Sequence, residues 1–286
     1  HETQFIPDAI LFQNFLLNKT IVFVKGIGQT EIGLRKFSKI SQRYYNRHSI
    51  SKQLFLNCYN SSKQKEYEKK GYEIIKSRFE NIRDENDIHD LTFAFDPKKK
   101  IVDKSYFVKL YNWDEKIPIV VVFANNIFDG VFEKRITLFQ DNLVWLQKTL
   151  EFLSINKNIN VLVKKHPTEF DIPKFKDVTM ANVEKIGVNN IKMFPDDIHP
   201  ASIIKFAKCV FTDHGTAGLE YSCYGIPAIV SGDAIYYKTG FAYEPKTIND
   251  YKKIIKEMHF IKKNNDDQIL RAKVFSYVNI HLTKVA

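Results

Sequence analysis

The chain has 286 residues, of which 44% are hydrophobic and 14% aromatic, enough for a packed core and enough to exclude disorder as its main state. A formal net charge of +10 suits an anionic partner such as nucleic acid, an anionic membrane face or a phosphorylated substrate. The lysines are scattered, however, and Lys98–Lys100 reads as a solvated loop and not as a nucleic-acid arm, so nucleic acid is the weakest of these partners.

Three cysteines, Cys58, Cys209 and Cys223, form no C-x-x-C and suggest neither a disulfide framework nor a zinc site. They fit a reducing, cytoplasmic setting. No run of about 18 apolar residues predicts a spanning helix. The opening "HETQFIPDAILF" lacks the basic flank and apolar core of a signal peptide. A start on His1 instead of Met is compatible with a fragment of a longer chain. The length suits one large domain or two modest ones.

In chain order, residues 20–26 (TIVFVKG) predict a buried strand and residues 30–45 (TEIGLRKFSKISQRYY) a helix. Residues 53–59 (QLFLNCY) predict a second strand. Tyr67, Tyr72, Ile75 and Phe79 recur at helical spacing in a charged segment, which reads as a surface helix. LTFAF (91–95) is a third strand candidate, and 97–116 reads as a linker.

From Ile117 the pattern changes. IPIVVVFAN is a continuous apolar run, as in a parallel strand covered on both faces. Phe132, Ile136, Phe139, Leu143, Leu146, Leu150 and Leu153 then mark a long amphipathic helix. INVLVKKHP, IKMFP, CVFTD and IPAIVSG predict further strands, and PASIIKFAK and GTAGLEYSCYG short helices, the latter closed by Gly225. Residues 249–263 and 267–283 predict two closing helices. The alternation predicts an α/β chain with a doubly wound parallel sheet over residues 112–286, preceded by a smaller or incomplete α/β unit at 1–111.

Ligands of such sheets bind outside the carboxyl ends of the strands. Polar clusters fall at those places: ANNIFDG, KKHPTE, FPDD, TDHGTAG and SGDAIYYKTG. In TDHGTAG, Gly215 and Gly218 permit close backbone approach, and Thr216 can cap the following helix. Free N–H groups and the helix dipole there favour an anion. Glu220 shares a face with Thr216 and could accept both hydroxyls of a ribose. The alternative is a capped helix with Glu220 paired to a lysine.

In KKHPTE, His166 could donate to a phosphate oxygen or protonate a leaving phosphate. Lys164 or Lys165 adds charge, although strand alternation lets only one face the site, and Pro167 fixes the turn. A hydrogen-bonded turn histidine is the alternative. His199 reads as a helix-start residue. Asp129 is either a general base or the carboxylate that caps the long helix. Asp196, Asp197, Asp213 and Asp233 form no metal-ligand pattern, so no metal is expected. Neither G-x-S-x-G nor a full G-x-G-x-x-G occurs.

The segments IPIVVVFANNIFDG, FQDNLVWLQKTLEFL, INVLVKKHPTE and CVFTDHGTAGLEYSCYGIPAIVSGDAIYYKTGFAYEP together resemble the capsule polysaccharide biosynthesis proteins, over residues 112–255. These are similar to the β-Kdo transferases of capsule assembly, and the His-Pro pair is also similar to that of bacterial sialyltransferases using CMP-sugars. The resemblance implies a GT-B glycosyltransferase, in which two Rossmann-like domains face each other and the C-terminal one holds the nucleotide sugar.

It implies a donor-phosphate role for His166. Lys164, Lys165, Pro167, Glu169, Asp213, His214, Gly215, Thr216 and Gly218 would line the nucleotide site, with Glu220 on the ribose. Asn125, Asn126, Ser231, Asp233, Tyr236 and Tyr237 would face the donor sugar or the cleft, and Asp129 would act as base. The implied reaction is metal-independent and without cofactor, with a CMP-linked sugar as donor and a polysaccharide or glycolipid as acceptor. It would occur within a capsule assembly complex in the cytoplasm or peripherally at the inner membrane. Arg35, Arg43 and Arg47 could line an acceptor groove or be ordinary surface charges. Two alternatives stand beside this: a CDP-polyol phosphotransferase of teichoic-acid type, and a non-catalytic module of an assembly complex.

Overall fold

A computed structural model describes residues 8–27, 32–38, 47–82, 94–127, 137–171 and 176–282. Helix α1 (Asp8–Leu17) leads into a hairpin of β1 (Val22–Ile27) and β2 (Ile32–Phe37), antiparallel from Val22 opposite Phe37 to Ile27 opposite Ile32. The helix expected over 30–45 is therefore a return strand in its first part. Gly33 weakens a helix there by about 1 kcal/mol, and it faces Gly26 across the hairpin instead. Residues 39–46 lie outside the described set.

The strand expected at 53–59 is the end of helix α2 (Arg47–Tyr59). Phe55 and Cys58, both buried, sit three apart on one helical face. A short apolar run cannot separate the two periods. Helix α3 (Gln64–Phe79) forms as expected, and it buries Gly71, Ile75 and Phe79, one every fourth residue. Residues 91–93 lie outside the described set; Ala94 and Phe95 are buried and belong to no described strand. The stretch read as a linker contains helix α4 (Lys104–Tyr111), capped by Asp103, which accepts from the Ser105 N–H at 3.0 Å.

The main sheet is built from β3 (Ile119–Phe123), β4 (Asn160–Lys164), β5 (Ile191–Met193), β6 (Ala207–Thr212) and β7 (Ala228–Val230). Its five strands are parallel, in the order β5-β4-β3-β6-β7. The connecting helices are α5 (Asn142–Ile155), α6 (Val178–Ile186), α7 (Ser202–Phe206) and α8 (Ala217–Ser222). Helices α9 (Ile248–Lys256) and α10 (Asp266–Tyr277) follow the last strand of the sheet. Both begin at capping boxes, Thr247 with Asp250 and Asn265 with Gln268, which fixes where they start. The long helix expected from Phe132 begins only at Asn142, because the Asp141 carboxylate caps it through the Val144 N–H at 2.8 Å. Phe132 and Ile136 lie outside the described set. Helix α6 was not foreseen as an element.

Side chains alternate across the sheet and separate two cores. Ile119, Val121, Leu162 and Val210 face one way and meet Phe55, Ile75, Phe79, Phe107 and Phe275 from α2, α3, α4 and α10. Val120, Val122, Val161, Val163 and Phe211 face the other way, toward Trp145, Leu150, Val183 and Tyr251 of α5, α6 and α9. On the first face α3 crosses α10 at very short range. A Cβ on Gly71 would sit 1.7 Å from the Lys273 carbonyl oxygen. Among the described residues no helix is long and apolar enough to cross a membrane.

Candidate functional site

The strand order reverses between β3 and β6, so the chain leaves their carboxyl ends in opposite directions and opens a crevice there. Three predicted clusters meet at this point, the ends of β4, β3 and β6. Asn125 ties two of them together. Its Oδ1 accepts from the Thr212 hydroxyl at 3.1 Å and from the Asp213 N–H at 3.3 Å, while its Nδ2 lies 3.3 Å from His214 Nδ1.

The turn from β6 into α8 is set by Thr212, whose hydroxyl also accepts from the Gly215 N–H at 3.0 Å. A Cβ on Gly215 would come within 2.7 Å of that hydroxyl, so the turn needs glycine. Asp213 is only 1% exposed. Its Oδ1 accepts from Ser231 at 2.7 Å, and Oδ2 faces His214 Nδ1 at 3.0 Å. Thr216 does not cap α8 as expected. Its backbone is already helical (φ −63°, ψ −19°), and its hydroxyl donates to Glu220 Oε1 at 3.0 Å. Glu220 is buried and paired with an arginine instead of a lysine: Arg78 Nε of α3 lies 3.3 Å from the same oxygen.

Gly218 is small for a different reason from the one expected. A Cβ there would lie 2.0 Å from the Tyr236 hydroxyl, which donates to the Gly215 carbonyl at 2.8 Å. The buried Tyr236 thus props the turn from beneath and does not line the crevice. Gly218→Ala should push Tyr236 out of place and cost about 2 kcal/mol, read as a lower urea midpoint. An unchanged midpoint would mean that Tyr236 swings aside freely. Tyr237 and Asp233 are half-buried in the loop after β7, with Lys238 Nζ 5.1 Å from the Tyr237 ring.

At the end of β4, the two lysines part as strand alternation requires. Lys164 Nζ lies 5.9 Å from the Phe194 ring, and Lys165 pairs with Asp196 at 2.5 Å. Burial, with Lys99 and Lys165 close by, lowers Lys164 to about 8. The folded chain therefore binds fewer protons than the unfolded one between about 8 and the ordinary 10.5, and stability rises with pH across that window.

Lys99 corrects the reading of Lys98–Lys100 as solvated loop. Lys98 and Lys100 are exposed, but Lys99 is half-buried and lowered by desolvation. Arg78 and Lys99 were missed because both sit in charged runs that read as surface. His166 Nδ1 is 2.7 Å from the Thr168 hydroxyl and 3.2 Å from the Thr168 N–H. Thr168, in turn, accepts from Asn126 Nδ2 at 3.0 Å. Thr168 was also missed; a threonine two residues after a turn histidine is the signal that could have found it.

Not every expected residue joins the site. Glu169 spends both oxygens on Thr179 at the start of α6, at 2.9 Å and 2.5 Å. Pro167 opens a single helical turn, Pro167–Asp171. His199 is a helix-start residue as read, its Nδ1 accepting from the Ala201 N–H at 3.1 Å. Asp129 lies outside the described residues, as does Arg43. Among the described residues no three His, Cys, Asp or Glu side chains gather as a metal site would need.

A parallel α/β sheet with polar strand ends at its switch point is the class of fold that this chain presents. Within the chain, residues 144–277 match the family model of the capsule polysaccharide biosynthesis proteins. The likeness read from the sequence over 112–255 stands where it overlaps this match, at 144–255. The match takes in the ends of β4, β6 and β7, and it begins after Asn125, Asn126 and Asp129. No curated protein matches the chain.

Among solved structures the chain is similar to Thermosulfurimonas dismutans KpsC, β-Kdo 2,4 transferase, at 14% identity and a TM-score of 0.44, covering 89% of this chain and 64% of that one. It is also similar to T. dismutans KpsC, β-Kdo 2,7 transferase, at 15% identity and a TM-score of 0.43, covering 90% and 68%. An O-GlcNAc transferase variant of Thermobaculum terrenum follows at 12% identity and a TM-score of 0.34, covering 60% and 33%. The chain thus spans about two thirds of the KpsC chains that it matches, 64% of the first.

Proposed function

We propose that the protein is a glycosyltransferase of GT-B type. It would move a sugar from a nucleotide-activated, CMP-linked donor to a hydroxyl of a polysaccharide or glycolipid acceptor. The observation that carries this reading is that Asn125 and Asn126, next to the switch point, reach the Thr212–Asp213 turn on one side and the Thr168–His166 turn on the other, where an anionic ligand of such a sheet would lie. The match to a capsule biosynthesis family over 144–277 supports it.

In this reading the acceptor oxygen attacks the anomeric carbon, and the bond from that carbon to the phosphate oxygen breaks. The electron pair leaves on the nucleotide phosphate. His166, Lys164 and the backbone N–H groups at the start of α8 would stabilise the charge that grows there. Glu220, backed by Arg78, would meet the ribose, and Asp129 would take the acceptor proton. Residues 1–111 would contribute to the acceptor side. Neither a metal nor a cofactor has a step in this scheme.

Calorimetric titration with CMP, CDP and UDP tests the donor class. Micromolar binding of one of them, weakened by Glu220→Ala, is the expected result. No binding to any would remove the donor site from this turn. Product analysis tests the reaction: released CMP and a glycosylated acceptor are expected, whereas phosphate retained on the acceptor would identify a polyol-phosphate transferase instead.

Lys164 supplies a second check. A phosphate beside it favours its charged form, so nucleotide binding at about pH 8.5 should take up a proton. The measured enthalpy should then vary with the ionisation heat of the buffer, and that variation should vanish in Lys164→Met. Equal buffer dependence in the variant would place the phosphate elsewhere.

A further inference from the structure

Asn125 and Asn126 follow β3, the strand flanked by β4 and β6, and their amides reach to opposite sides. Asn125 goes to the β6 side and Asn126 to the β4 side. The hydrogen bonds around each can be followed to a ring nitrogen. On the β4 side, Asn126 Nδ2 donates to the Thr168 hydroxyl at 3.0 Å. The same hydroxyl lies 2.7 Å from His166 Nδ1. The Thr168 N–H reaches the same nitrogen at 3.2 Å. A ring nitrogen that receives a backbone N–H carries no proton, so neutral His166 is protonated on Nε2, and the Thr168 hydroxyl turns its hydrogen to Nδ1.

On the β6 side the logic reverses. The Asn125 Oδ1 takes the Asp213 N–H and the Thr212 hydroxyl, which fixes how the amide is turned. The buried Asp213 receives Ser231 on Oδ1 and offers Oδ2 to His214 Nδ1 at 3.0 Å. With Asp213 ionised, its carboxylate only accepts, and His214 then holds its proton on Nδ1 and its lone pair on Nε2. The Asn125 Nδ2 contact, at 3.3 Å, is longer than this charge-assisted bond and yields to it.

We propose that the two histidines of the crevice are held in opposite tautomers, His166 by Thr168 and Asn126, and His214 by Asp213. One ring then carries a proton on Nε2 and the other a lone pair there. The use of this arrangement rests on the transferase reading: His166 Nε2–H serves the leaving phosphate, and His214 Nε2 accepts from a substrate hydroxyl. Thr168, Asn126 and Asp213 are positioning residues that act through the rings. A phosphate and a hydroxyl are thereby told apart by two side chains of the same type.

The test is two-bond 1H–15N correlation NMR of the histidine rings in the whole chain at neutral pH, assigned with His166→Gln and His214→Gln. Opposite patterns for the two rings are expected. Asp213→Asn keeps the acceptor for Ser231 but turns an amide N–H2 toward Nδ1, so His214 should switch to the Nε2–H form while His166 stays. Thr168→Val should loosen His166 into a mixture and leave His214 alone.

The same tautomer in both wild-type rings would overturn the proposal. So would an Asp213→Asn spectrum with His214 unchanged. The wild-type spectrum and Thr168→Val decide the matter even if Asp213→Asn fails to fold. With donor and acceptor supplied, Asp213→Asn should lower turnover about 100-fold, with KM changed far less. Opposite tautomers in a protein that binds and transfers no nucleotide sugar would sink the transferase reading and leave this arrangement standing. Transfer with matching tautomers would sink this inference alone.

Discussion

Gly71→Ala is expected to destabilise the fold by about 3 kcal/mol, at the upper end of what overpacking costs. The added carbon would lie 1.7 Å from the Lys273 carbonyl oxygen and 2.7 Å from its carbon. Both are backbone atoms of α10, so no side chain can move aside. In an isolated helix the same change would help, by about 1 kcal/mol. Here α3 or α10 must shift as a body, and the stacked Tyr67 and Tyr277 rings, 5.0 Å apart, shift with it. Against a typical total of about 5–15 kcal/mol the loss is large. The urea midpoint reads it. A midpoint equal to or above wild type would show that the crossing is not rigid.

His166→Ala should leave the fold intact and cut turnover at least about tenfold. A hydrogen bond to a charged group contributes about 1.5–3 kcal/mol, a factor of roughly 10 to 150 if the bond is made fully only as the phosphate leaves. The fold should survive because the ring is half-buried and its partner Thr168 can turn to water. A fall in kcat and kcat/KM together would place the contact in the transition state. A rise in KM alone would make His166 a binding residue. Wild-type rates would end its role.

The sheet was legible because its strands are covered on both faces. IVVVF, NVLVK and AKCVFT can be buried only in that way, and the polar residues that end each run lie at one edge. The crevice followed from the topology, and so did the place of His166 and His214. What the residues do there was less legible. Gly218 reads like a phosphate glycine but is small to admit Tyr236. Glu169 looks aimed at the site but holds the start of α6. The Glu220–Arg78 pair joins a short helix to one far earlier in the chain, and no local pattern announces such a contact. The apolar run at 53–59 failed for a simpler reason: seven residues satisfy either period.

The crossing of α3 and α10 also governs how the chain can be made. Helix α10 leaves the ribosome roughly 200 residues after α3, about 10–40 s at ordinary elongation rates. Through that interval Ile75 and Phe79 have no α10 to close over them, and the sheet face bearing Val121 and Val210 lacks Phe275. Contacts of such long sequence separation form late and slowly. Until α10 emerges, the nascent chain therefore leaves this face of its future core uncovered, a state that holdase chaperones recognise.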